Sequence, residues 1–146
     1  MTASLRHVGI VVTKVEEWLH FLTHSLGFQV WIDQIEKGKF ISQLIGIPNV
    51  EVRTIKLRDT KGGVIELLYF LSPECNQEEF RPLEPNSRGI THIAVEVVSI
   101  NNVLEKLKEQ DLIPIEAPQV SDNGGAIVCY LRGPEQVLVE LVEVIA

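Results

Sequence analysis

LRHVGIVVT, residues 5–13, and GITHIAVEV, residues 89–97, are the two stretches on which the fold turns. Both are rich in β-branched residues and read as strands. Each holds one histidine among apolar neighbours, His7 and His92. After the first come Val15, Trp18, Leu19, Leu22 and Leu26 at helical spacing, with Gly27 as the stop; after the second come Ile100, Val103, Leu104 and Leu107. Three strand signals follow each helix. They are Phe28–Ile35, Val50–Leu57 and Gly63–Leu71 in the first half, and residues 113–120, Ala126–Leu131 and Val137–Ile145 in the second. Lys61-Gly62-Gly63 and Asp122-Asn123-Gly124-Gly125 supply hairpin turns. The chain therefore reads as an α+β fold of two β-α-β-β-β modules, residues 5–71 and 89–145. Trp18, Leu22, Val103 and Leu107 are expected to pack on the outer faces of curved sheets, and neither half easily closes a core alone.

Residues 72–88, with Pro73, Pro82 and Pro85, read as a linker, and residues 37–49 have no counterpart in the second half, so a short helix or loop insertion is expected there. A length of 146 residues suits one domain, residues 1–146, made of two half-sized modules. The net charge of −7 opposes binding to phosphate backbones and anionic lipid, so neither nucleic acid nor membrane is an expected partner. The N-terminal apolar run is short and interrupted by Arg6 and His7, and there are two cysteines, Cys75 and Cys129. A cytoplasmic, reducing location is the expectation.

Glu66 lies within VIELLYF and Glu140 within VLVELVEV, each in the last strand of its half. A carboxylate among apolar residues is costly to bury unless it is paired, protonated or bound to a cation. His7 and Glu66 lie 59 positions apart and His92 and Glu140 lie 48 apart, a difference of 11 that the unmatched segment absorbs. Taken singly, each residue fits the wet face of an antiparallel sheet, as Glu96 and Glu143 do in the same strands. Matched across a duplication, the four point to a common partner. Imidazole and carboxylate suit a divalent metal such as Ni, Zn, Co or Mn, and the donor types leave its identity open.

HVGIVV, FLTHSLGF, VIELLYF, THIAVEV and VLVELVEV together resemble the vicinal oxygen chelate superfamily, which includes glyoxalase I, methylmalonyl-CoA epimerase and the extradiol dioxygenases. The resemblance implies that the two modules form a cupped mixed sheet with a metal on its floor, held by His7, Glu66, His92 and Glu140. It also implies a glyoxalase I-like lyase or isomerase that moves a proton next to a carbonyl through a metal-bound enediolate. Glu140 would be the first choice of catalytic base and Glu66 the second. The substrate would be a small molecule of the hemithioacetal or acyl-CoA thioester class, and a homodimer is expected. Two positions depart from the glutathione-using members: Val8–Val12 lack the arginine that follows the first histidine there, and Phe70 stands where an asparagine often does. GIPNVEVRTIKL, residues 46–57, looks more like the epimerases, for which Glu51 is a nearby candidate acid. An Fe(II) dioxygenase would need only His7, His92 and Glu140, and a metal-free drug-binding protein would need none of the four.

Other signals carry blander readings. His20 and His24 are four apart on a helix, a spacing seen in metal sites, but solvent is the simpler environment. Cys129 reads as a core residue, and Cys75 has no adjacent base. Lys37, Lys39, Arg53, Lys56, Arg58, Arg81 and Arg88 lie near the cup edges, where some could meet a carboxylate or a CoA phosphate.

Overall fold

The computed structural model describes residues 2–76 and 81–145; residues 77–80 of the expected linker lie outside the described residues. The chain divides into two compact units. One contains the chain up to Thr23 and from Gly27 into the linker, and the other contains His24–Leu26 with the chain beyond the linker.

In the first unit β1 (Val8–Val11) is followed by α1 (Val15–His20), β2 (Gln29–Lys37), α2 (Lys39–Ile45), β3 (Glu51–Arg58) and β4 (Val64–Ser72). The sheet order is β1-β4-β3-β2, with β1 parallel to β4 and the other pairs antiparallel. Ile55, Leu57, Ile65 and Leu67 are buried, as are Trp18, Phe21 and Leu22 of the helical segment. Between the buried strand residues alternate Lys56 and Glu66, which are half-buried on the opposite face. Beyond His20, the helix continues as a π turn over Phe21–Ser25. It ends at Gly27, whose φ of 78° suits a residue without Cβ.

The insertion is a helix. Ile41 of α2 packs with Val50 and Val52, and with partly buried Ile47, Leu68 and Phe70. Since Leu68 and Phe70 alternate in phase with Glu66, the insertion covers part of the face that carries Glu66.

The second unit runs β5 (His92–Glu96), α3 (Ile100–Leu107), β6 (Gln119–Val120), β7 (Ala126–Arg132) and β8 (Leu138–Val144). Its order, β5-β8-β7-β6, repeats that of the first unit, again with a parallel first pair. α3 contacts β7 and β8 through a stripe that includes buried Ile100, Val103 and Leu107, opposite buried Leu131, Val139 and Leu141. The strand expected over residues 113–120 shrinks to Gln119–Val120 and a single bridge between Pro114 and Leu131. Pro114 and Pro118 have no N–H to give a ladder, which limits pairing there. Both glycine-bearing turns form hairpins. Asp59 Oδ1 accepts from the Lys61 and Gly63 amides at 2.7 and 2.8 Å, and Asn123 Oδ1 accepts from the Gly125 amide at 2.9 Å.

Candidate metal centre

His7 immediately precedes β1, and His92 opens β5. On the neighbouring parallel strand, Gly9 pairs with Glu66 and Ala94 pairs with Glu140. In each unit the histidine is thus two residues before the parallel partner of the glutamate, on the same side of the pleat. The antiparallel neighbour completes the likeness: Lys56 stands opposite Glu66, and Tyr130 opposite Glu140.

This register makes two contacts of one kind. His7 Nε2 is 3.7 Å from Glu66 Oε1, and His92 Nε2 is 3.0 Å from Glu140 Oε2. Both glutamates are more shielded than their histidines, with side chains 13% and 22% exposed. Each pair has an imidazole nitrogen and a carboxylate oxygen directed at one another, which is a donor set for a borderline or hard divalent cation.

The surroundings differ. In the second unit the Tyr130 hydroxyl donates to Glu140 Oε2 at 3.2 Å and lies 3.2 Å from His92 Nε2, while Thr91 Oγ1 is 2.8 Å from His92 Nδ1. Contact at Nδ1 fixes the ring so that Nε2 faces Glu140. Burial and the nearby Glu140 charge hold the Tyr130 phenol above its usual pKa, so it stays a proton donor at neutral pH. In the first unit the Lys56 ammonium lies 3.7 Å from Glu66 Oε2. In the sequence Lys56 reads only as one of the residues near the cup edge, and Tyr130 carries no site signal of its own. The shared ten-residue spacing, 56 to 66 and 130 to 140, is the feature that could have found both.

The remaining candidates fall elsewhere. Glu51 pairs with Ser72, six residues along β4 from Glu66, or about 20 Å away at strand rise. His24 Nε2 lies 3.2 Å from Glu109, both on an exposed surface. Cys129 is buried, and burial raises its thiol pKa. Arg53 forms a two-pronged pair with Asp33 at 2.9 and 2.7 Å. The described end of the linker is held by Arg132, which donates to the Leu83 carbonyl and to Glu84.

The sequence model of the glyoxalase/bleomycin resistance protein/dioxygenase superfamily matches residues 6–130. The chain belongs to this superfamily. A superfamily protein of the glyoxalase family from Bacillus cereus superposes with a TM-score of 0.89 at 22% identity, covering 100% of this chain and 97% of its own. The manganese-containing structure of a glutamate-to-glutamine mutant of the fosfomycin resistance protein FosX from Listeria monocytogenes has a TM-score of 0.61 at 15% identity, over 97% of this chain and 90% of that one. These likenesses establish the α+β fold. In sequence, the uncharacterised protein YwkD of Bacillus subtilis (strain 168) is 26% identical over 142 residues, 96% of each chain. Among the described residues no helix is long and apolar enough to cross a membrane.

Proposed function

We propose that the protein is a divalent-metal-dependent isomerase or lyase of glyoxalase I-like type, with His7, Glu66, His92 and Glu140 as metal ligands. The observation that carries the reading is the repeated register: each unit presents one histidine and one glutamate at equivalent positions on equivalent strands. Superfamily membership supports it, and so does the FosX complex, whose ligands are Mn(II) and a dihydroxypropylphosphonic acid. A full set of four requires both half-sites, from one chain or from two chains of a homodimer. The open edges β1 and β2 of the first sheet, with exposed Trp31 and Ile35 on β2, favour the homodimer. A cytoplasmic setting fits the free thiols.

A divalent metal at these ligands would supply Lewis acidity to two neighbouring oxygens of a small substrate, making the adjacent C–H acidic. Glu140 is the first choice of base for that proton, by its likeness to the glyoxalase I glutamate, and Glu66 is the second. The Tyr130 hydroxyl steadies the Glu140 carboxylate through its hydrogen bond, and Thr91 steadies His92. Four protein ligands would leave a metal less room for outside oxygens than two histidines and one glutamate would, a poorer fit to a dioxygenase that must also hold O2.

Solvent-deuterium exchange tests the reading. Metal-loaded protein is given the methylglyoxal–glutathione hemithioacetal and methylmalonyl-CoA separately. Metal-dependent deuterium incorporation next to the carbonyl, abolished in Glu140→Gln, is expected with one of them. Exchange with neither, together with oxygen uptake on a catechol, would overturn it.

A further inference from the structure

The duplication is faithful at three positions of each half-site and unfaithful at the fourth. Histidine, parallel-strand partner and glutamate correspond, but the cross-strand neighbour of the glutamate is a phenol in one unit and an ammonium in the other. Tyr130 gives Glu140 a neutral hydrogen bond, whereas Lys56 gives Glu66 a full positive charge.

The charge is awkward beside a cation site. A divalent ion bound beside His7 at Glu66 Oε1 would share that carboxylate with Lys56 at Oε2, weakening the pull on the ammonium and repelling it. Lys56 is also shielded, its side chain 22% exposed, so its ammonium is only partly solvated beside Glu66. Glu36, placed on the same face by strand alternation, accepts a 2.7 Å hydrogen bond from the Thr54 hydroxyl. Ile32, paired with Lys56 on the other side, is apolar. A half-buried ammonium that shares its one carboxylate with a divalent cation is stabilised by a further anion.

Resting on the metal-centre reading above, we propose that Lys56 is a specificity-determining residue that binds an anionic oxygen group, such as a carboxylate, carried by the substrate beside its two chelating oxygens. The preferred substrates are then anionic chelators rather than neutral ones, and the negative charge they bring replaces that of Glu66 as the partner of Lys56.

The test uses Co(II)-loaded full-length protein and two probes with one chelating head, acetohydroxamate and N-hydroxymalonamate, which differ in a single carboxylate. Binding is read from the Co(II) absorption spectrum. Wild-type protein is expected to bind the carboxylate-bearing probe about tenfold to a hundredfold more tightly, the range of one charge-assisted contact. Lys56→Met should bring the two probes within about threefold, Lys56→Arg should keep most of the preference, and Lys56→Met should hold Co(II) at least as tightly as wild type. A preference unchanged in Lys56→Met, or Co(II)-loaded wild type without any preference, would overturn the role of Lys56 alone. Lost Co(II) binding in Lys56→Met would make the lysine a structural support and also overturn the proposal. Wild type that holds Co(II) no better than His7→Ala and Glu66→Gln would overturn the metal-centre reading, and this inference with it.

Discussion

Tyr130, Lys56 and Cys129 show how one side chain's surroundings set its chemistry. Tyr130 touches both members of the His92–Glu140 pair, so Tyr130→Phe removes a donor from a charged carboxylate without removing a metal ligand. The expected result is unchanged metal content and exchange slower by about tenfold to a hundredfold, the weight of a hydrogen bond to a charged group. Cys129 is 4% exposed in an apolar strand, and its raised thiol pKa follows from burial. Cys129→Ser places a hydroxyl there and should lower stability by about 1–3 kcal/mol in urea unfolding. The same apolar context makes this residue readable in the sequence. Tyr130 and Lys56 are harder, because their importance comes from cross-strand pairing ten residues away and not from their own neighbours.

At the scale of elements, α3 begins where a strand side chain receives it. Glu143 on β8 accepts from the Ile100 amide at 2.8 Å, and Ser99 accepts from the Asn102 amide at 3.3 Å, so two of the helix's unpaired N–H groups are satisfied. Glu143→Ala should cost about 1–2 kcal/mol in urea unfolding and leave metal uptake intact, which separates Glu143 from Glu140 three residues earlier. Asp33 and Arg53 tie β2 to β3, and the hydrogen bond from Arg53 holds the Asp33 carboxyl below its ordinary range. A depressed carboxylate pKa stabilises the fold above the unfolded value, near pH 4, and that stabilisation fades as pH falls through the lower folded value. Both groups are about one-third exposed, so Asp33→Asn should cost only about 0.2–1 kcal/mol at pH 7 and much less near pH 2. The first helix and the two hairpin turns are legible from spacing and glycine chemistry. The strand at 113–120 is not, because its apolar residues match a strand pattern while two prolines limit the backbone ladder.

Over the whole molecule, the proposed ligand set draws residues from each unit, so metal binding is expected to depend on both. Saturation at about one hundred times the dissociation constant should stabilise the folded state by about 2.7 kcal/mol and raise the melting temperature by about 5–10 °C. His7→Ala and Glu140→Gln, one in each unit, should each abolish most of that rise in a thermal melt with and without Ni, Co, Zn or Mn. A rise that survives either substitution would place the metal elsewhere.

The duplication, the order of elements and the two histidine–glutamate pairs are all readable from the chain before it folds, because apolar periodicity and a polar residue out of place are local signals. Two sheets of identical strand order follow from that repeat. Folding in three dimensions was needed to bring the insertion helix onto the face carrying Glu66, to make Glu143 the cap of a helix, and to set a phenol against one carboxylate and an ammonium against the other. Each of these depends on which strands lie side by side and in what register. Register is fixed by burying one face of every strand at once, and no single stretch of sequence contains that constraint.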